Sequence, residues 1–167
     1  MIFRGHAWVF GDDIDTDVII PVRFCTGTEP DEFGRHCMDG IDPAFPEKIA
    51  GGDIIVAGKN FGCGSSREPA PISIKAAGIS CVIAGTYARI FYRNAFNIGL
   101  PLLECGDASN DIREGDEIEV NIDTGEILDV STGKKFSAKP IPSFMQDLIR
   151  DNGLMNHLAK KLSRRKQ

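Results

Sequence analysis

Gly58-Lys-Asn-Phe-Gly62-Cys-Gly64-Ser65-Ser66-Arg67-Glu68 is the stretch on which the reading turns. A strand-like run, Asp53-Ile-Ile-Val-Ala57, feeds it, and a helix is expected to open at Pro69. Glycine lets a backbone approach a ligand closely and adopt positive φ. A following helix start points unpaired N–H groups at whatever sits there. Two hydroxyls and a guanidinium complete a socket for an oxygen-rich anion, most naturally a carboxylate. The plain alternative is a strand-to-helix turn whose serines only cap the helix. Against it, Arg67 is an odd neighbour for a helix start, where the macrodipole favours anions. A nucleotide loop fits poorly: Gly62-Cys-Gly64 begins like G-x-G-x-x-G, but Arg67 stands where the third glycine belongs.

The rest of the composition narrows the class. A chain of 167 residues with 42% hydrophobic content has room for one domain with its own core. Met1-Ile-Phe-Arg-Gly-His6 lacks an apolar h-region, and no apolar run approaches membrane-spanning length. The expected setting is therefore the cytoplasm, with no membrane partner. A net charge of −5 argues against nucleic acid as a partner. The basic end, Lys160-Lys-Leu-Ser-Arg-Arg-Lys166, reads as a solvated helix tail.

Cys25, Cys37, Cys63, Cys81 and Cys105 are widely spaced, with no Cys-x-x-Cys. An odd number suggests reduced thiols, and an iron–sulfur cluster needs thiolates brought together. No metal or cofactor is expected on this chain. Cys81 reads as a small core residue and Cys63 as filling within the anion loop. Asp12, Asp13, Asp15 and Asp17 do not have EF-hand spacing and read as a solvated or capping turn. His6, His36 and His157 are far apart and read as ordinary histidines.

The fold class read from the pattern is mixed α/β. Ala7–Phe10, Asp53–Ala57 and Cys81–Ala84 look like strands. Ile72–Ala77 reads as helix ended by Gly78, and Arg89–Asn97 as a second ended by Gly99 and Pro101. Asp116–Ile122 alternates polar and apolar residues, Asp123-Thr-Gly125 turns the chain, and Ile127–Val130 returns as a hairpin with one wet face. A C-terminal helix over about 143–162 opens at Ser143, with Asn152-Gly153 as a break. Its expected buried positions are Phe144, Leu148, Leu154, Leu158 and Leu162.

The serine loop resembles that of the small subunits, or swivelling domains, of the aconitase superfamily, and further motifs follow in the family's order. Gly11-Asp-Asp-Ile-Asp15-Thr-Asp17-Val-Ile-Ile-Pro21 is similar to the family's Asp-x-Asp-Thr-Asp segment. Gly78-Ile-Ser-Cys-Val-Ile-Ala84, Tyr87-Ala-Arg-Ile-Phe-Tyr-Arg-Asn94 and Asn97-Ile-Gly-Leu-Pro101 resemble the strand and helix beyond the loop. The length matches the short, separately encoded type found among isopropylmalate dehydratases. The resemblance implies a single β/β/α swivelling domain over residues 1–167. It closes on a large-subunit partner that carries a [4Fe–4S] cluster. The implied reaction moves a hydroxyl of a small hydroxy di- or tricarboxylic acid by dehydration and rehydration.

The resemblance also implies roles for residues. Ser65 becomes the base, and Ser66 and Arg67 bind substrate carboxylates. Gly62, Gly64, Asp15 and Asp17 support the loop. Substrate choice falls to Arg23-Phe24-Cys25-Thr26-Gly27-Thr28. Homoaconitase-like members carry Tyr-Leu-Arg-Thr there; this chain places neutral Thr26 at the arginine position, which favours an alkyl group such as isopropyl. Arg23 lies near enough for a register shift to give it that role, so the small subunit of homoaconitase or of another alkylmalate dehydratase, acting on methyl- or dimethylmalates, is the alternative. Pro69 replaces a frequent histidine, and Gly85 a frequent charged residue. Pro69 makes a non-catalytic anion-binding subunit the rival class.

Overall fold

The computed structural model describes residues 1–164. Its frame is one seven-stranded sheet in which two pairing styles meet on the first strand, β1 (Ile2–Phe10). The second half of β1 runs parallel to β2 (Ile54–Ala57), with Ala7 opposite Ile54 and Phe10 opposite Ala57. β3 (Cys81–Ala84) and β4 (Leu102–Glu104) extend that parallel half. The first half of β1 pairs antiparallel with β5 (Glu117–Asn121), followed by β6 (Glu126–Asp129) and β7 (Lys135–Ser137). The strand order is β4-β3-β2-β1-β5-β6-β7.

The sequence places the start of β1 at Ala7, whereas the strand begins at Ile2. Arg4-Gly5-His6 is too polar for the pattern of a buried strand, but this half only has to serve the antiparallel edge. Gly5 is needed there because a Cβ would lie 2.3 Å from the Gly52 carbonyl oxygen. Every residue of β2 and β3 is buried, as parallel strands covered on both faces must be. In β5, Ile118 and Val120 are buried and their neighbours half-exposed, giving the expected wet face.

Eight α-helices and one 3₁₀ turn (Val22–Phe24) surround the sheet among the described residues: α1 (Thr16–Ile19), α2 (Pro30–Gly34), α3 (Phe45–Lys48), α4 (Pro69–Ala76), α5 (Arg89–Asn97), α6 (Gly106–Asp111), α7 (Ser143–Arg150) and α8 (Leu154–Arg164). Pro69 starts α4 in its first turn, where the missing N–H costs nothing. The helix therefore begins three residues before the Ile72 at which its pattern becomes clear. Asp53 is buried beside β2 and accepts from the Ala50 amide (2.9 Å), the Trp8 indole (2.9 Å) and the His6 amide (3.1 Å). Burial pushes its pKa up, but those donors and the His6 charge outweigh it and hold the carboxyl below its ordinary value.

The C-terminal segment breaks at Asn152-Gly153, both with positive φ, as the sequence suggests. Its burial needs correcting. Phe144, Leu158 and Leu162 are 63%, 44% and 59% exposed, and Leu148 and Leu154 are only half-buried. α7 and α8 meet the body at the C-terminal end of α5, where Lys75 Nζ donates to the Ile98 carbonyl and the Asn152 side chain. Periodicity identifies an apolar face; it does not show that the chain itself covers that face. Arg165 and Lys166, the end of the basic tail, lie outside the described residues.

Candidate functional site

All four parallel strands point their C-terminal ends the same way, and the segments leaving β1, β2 and β3 meet there. Such an edge is where α/β sheets bind ligands. The serine loop leaves β2 between the other two segments. On one side, the Gly58 amide donates to the Gly11 carbonyl (3.0 Å) and the Lys59 amide to Asp12 Oδ1 (2.7 Å). Further along, the Gly62 amide donates to Ile14 O (2.7 Å) and the Thr16 amide to Cys63 O (2.9 Å). On the other side, the Asn60 amide donates to Thr86 Oγ1 (2.8 Å), and Phe61 exchanges backbone bonds with Thr86 (3.0 Å) and Ala88 (2.9 Å).

Two glycines make this course possible. Gly62 has φ +78°, and a Cβ there would sit 2.1 Å from the Phe91 ring, so space and conformation both demand glycine. Gly64 has φ +91° but ordinary room around it, so the requirement is conformational alone.

Ser65 is held by its backbone while its side chain stays open. Its carbonyl accepts from Thr16 Oγ1 (3.1 Å) and from the Arg67 amide (2.8 Å). The hydroxyls of Ser65 and Ser66 make no hydrogen bond among the described residues, and both residues are exposed. Arg67 is half-buried and reaches back to the Asp17 carboxylate and the Ile20 carbonyl (3.4 Å). The hydrogen bond from Arg67 holds the Asp17 carboxyl below its ordinary pKa, and Asp17 in turn raises that of Arg67.

The serine loop and the substrate-choice segment also meet at Ile20. Cys25 Sγ lies 4.0 Å from the same Ile20 carbonyl that Arg67 approaches. Burial pushes the Cys25 thiol up, with the Arg67 charge acting the other way. A groove of about 390 Å³ runs between Asp15, Asp17, Pro21, Arg23 and Gly40. The structure therefore brings Asp15, Asp17, Gly62, Gly64, Ser65 and Arg67 into one constellation, with Thr26 exposed one residue beyond Cys25. Arg23 is differently placed. Its guanidinium pairs with Asp39 (2.9 Å) and lies over Phe24 (4.6 Å), whose ring stacks on His36 at 3.6 Å.

The rest of the acidic run ties down its neighbours. Asp12 receives the Lys59 amide, Asp13 the Asn60 side chain (2.8 Å), and Asp15 caps α1 through the Val18 amide (2.8 Å). Thr16, buried beside them, is the residue that sequence reasoning missed, because it binds the loop through both amide and hydroxyl. Its signal was its place inside the Asp-x-Asp-Thr-Asp segment. Cys63 is half-buried, and burial, then the charges of Asp15 and Asp13, push its thiol up.

These features occupy a chain whose relatives are recognisable. Residues 14–106 match the family model of the aconitase C-terminal domain. The chain is 55% identical to the 3-isopropylmalate dehydratase small subunit of Heliobacterium modesticaldum, over 98% of each chain. It belongs to the 3-isopropylmalate dehydratase small-subunit family. The isopropylmalate/citramalate isomerase small subunit of Methanocaldococcus jannaschii is 53% identical, over 97% of this chain and 96% of that one. A crystal structure of 3-isopropylmalate dehydratase from Methanocaldococcus jannaschii superposes with a TM-score of 0.93 at 46% identity, covering 99% of both chains. The mixed sheet with its β/β/α arrangement is thus the fold of this family.

The cysteines do not fit an iron–sulfur cluster on this chain. Cys37 and Cys81 lie in the core, where burial pushes the Cys37 thiol up to about 12 and raises Cys81 also. Among the described residues, no group of three or more His, Cys, Asp and Glu converges to hold a metal.

Proposed function

We propose that this chain is the small subunit of a hydro-lyase that interconverts 2-isopropylmalate and 3-isopropylmalate, in the pathway to leucine. The carrying observation is the serine loop, whose backbone is fixed on both sides while Ser65 and Ser66 present exposed hydroxyls beside Arg67. Ser66 and Arg67 take a substrate carboxylate, for which a guanidinium's fork suits two oxygens. Ser65, as alkoxide, removes the proton on carbon as the neighbouring hydroxyl is lost, leaving an alkene. Re-addition of that hydroxide at the carbon that lost its proton, with the Ser65 proton delivered to the carbon that lost the hydroxyl, completes the exchange and restores the alkoxide. A serine alkoxide needs N–H dipoles and a cation in a dry site; the amides around Gly64–Arg67 and the Arg67 charge are the groups available. A [4Fe–4S] cluster held by the large subunit would supply the Lewis acid that assists hydroxyl loss. The setting is cytoplasmic, and nucleic acid has no part in it.

A second substrate has its own support. The relative from Methanocaldococcus jannaschii is named for citramalate as well as isopropylmalate, and a neutral loop around Thr26 suits methyl as it suits isopropyl. The test is reconstitution with the large subunit of the same organism. The chain alone should be inactive and take up no cluster, and the mixture should interconvert both isopropylmalates. Cluster assembled stoichiometrically on the isolated chain, or an inactive mixture, would overturn the reading.

A further inference from the structure

The site lies open. Ser65, Ser66 and Thr26 are all exposed, yet an alkoxide base works only where water is excluded. Another surface must close over this end of the sheet, and the rim beside the serine loop has a definite chemistry. α5 starts where the loop is pinned, one residue beyond the Phe61–Ala88 hydrogen bond. Phe91 turns inward to fill the space above Gly62, while Arg89, Ile90 and Arg93 face solvent, Ile90 at 51% exposure. Lys59 joins them. Its stem crosses Gly85, where a Cβ would come within 3.4 Å of Lys59 Cγ. The nearest atoms to such a Cβ are the Gly58 carbonyl carbon and oxygen at 3.3 Å, so a larger residue at Gly85 would press first on the backbone that opens the serine loop.

Among the described residues, Lys59, Arg89 and Arg93 have no side-chain hydrogen bond and no ion pair, whereas Arg23 and Arg67 nearby are each held by a carboxylate. Arg89 and Arg93 are one turn apart, a spacing at which like charges repel. On a chain of net charge −5, three cations without a carboxylate partner gather here around an apolar side chain, while the exposed Asp12 and Asp13 beside Lys59 are engaged by the Lys59 amide and the Asn60 side chain. We propose that Lys59, Arg89, Ile90 and Arg93 form the edge on which the large subunit docks, and that the surface meeting it is acidic around an apolar seat. The proposal rests on the reading under Proposed function. A second copy of this chain is the poorer occupant, since a two-fold contact through this edge sets cations against cations.

The test is the rate of association between the full-length chain and the large subunit of the same organism, across a salt series. For Arg89→Glu/Arg93→Glu, association at low salt should slow by about ten- to a hundredfold. Its salt dependence should flatten, and kcat at saturating large subunit should hold. Lys139→Glu, a charge reversal at an exposed residue two positions beyond the end of β7, should do little. Ile90→Ala should speed dissociation. If the double reversal impairs folding, Arg89→Gln/Arg93→Gln should show a smaller effect of the same sign. Unchanged association by a folded double variant overturns the proposal. So does unchanged association with a raised KM, which would make the edge a capture site for substrate. A wild-type pair that associates and turns over while the variants behave normally defeats the docking edge alone. A wild-type pair that does neither defeats the functional reading with it.

Discussion

The serine loop and the substrate-choice loop lie side by side but are held differently. Residues 58–63 run between two neighbouring segments, with backbone hydrogen bonds to each. Residues 21–30 are fixed at their start by a 3₁₀ turn, and by Arg23 on Asp39 and Phe24 on His36. Beyond Cys25, Thr26 is exposed and makes no hydrogen bond among the described residues. On the proposed function, the difference separates two tasks. Chemistry needs atoms placed within a fraction of an ångström, so its loop is built into the sheet edge. Selection among side groups needs only a surface of suitable polarity, so its loop can vary without disturbing the fold.

If that division holds, the largest effect should come from Ser65, the hydroxyl proposed to handle the proton. With the large subunit supplied, Ser65→Ala should lower kcat by about 10²–10⁴-fold, the range typical of lost acid–base catalysis. Its melting temperature should barely move, because the Ser65 side chain makes no hydrogen bond among the described residues. Near-normal turnover by a well-folded variant would remove Ser65 from the role. Gly62→Ala should break the framework instead. It forces a Cβ to φ +78° and to 2.1 Å from Phe91. Left-handed strain and overpacking together should cost about 2–4 kcal/mol. Urea unfolding measures it, and a loss no greater than that of an ordinary surface substitution would show the loop to be less constrained than its contacts imply.

Much of this was legible in the sequence, for reasons that differ by region. β2 and β3 are continuous apolar runs, and the Asp116–Val130 hairpin alternates around a turn, so local pattern sufficed. The serine loop was legible by its glycines and by its order among neighbouring motifs. Three features were not. The polar first half of β1 is a strand only because β5, more than a hundred residues away, pairs with it. The exposure of Phe144, Leu158 and Leu162 depends on what α7 and α8 have to pack against. The engagement of Arg23 depends on Asp39 and His36, which reach it only through the fold.

That engagement sharpens the test of the looser loop. Since Asp39 holds Arg23, Thr26 is the position to challenge first. Thr26→Arg would set an unpaired cation against an isopropyl group, which is costly to desolvate. A substrate with an additional carboxylate could pair it, and a charge-assisted hydrogen bond contributes about 1.5–3 kcal/mol. At about 1.4 kcal/mol per tenfold, the ratio of kcat/KM should shift toward the tricarboxylate by one to two powers of ten. Stability should be unaffected. An unmoved ratio would place Thr26 away from the variable group and make Arg23 the next residue to replace.

The smallest expected effect tests whether the acidic run belongs to the framework or to the chemistry. Asp15 caps α1 by accepting the Val18 amide at 2.8 Å. It precedes Thr16, whose amide and hydroxyl hold the serine loop at Cys63 and Ser65. Asp15→Ala should remove the cap at a cost of about 0.5–2 kcal/mol, and Asp15→Asn, which keeps an acceptor, should recover most of it. The four-residue helix carries Thr16 and Ile19 into the core, so the loss should appear in global unfolding by urea. Turnover measured well below the melting temperature should change little, since Thr16 retains its own bonds to the loop. If Asp15→Ala and Asp15→Asn both cut kcat as deeply as Ser65→Ala while stability falls no further than a lost cap explains, Asp15 acts on the substrate. The line between a fixed framework and exposed chemistry would then run through α1 and not between the two loops.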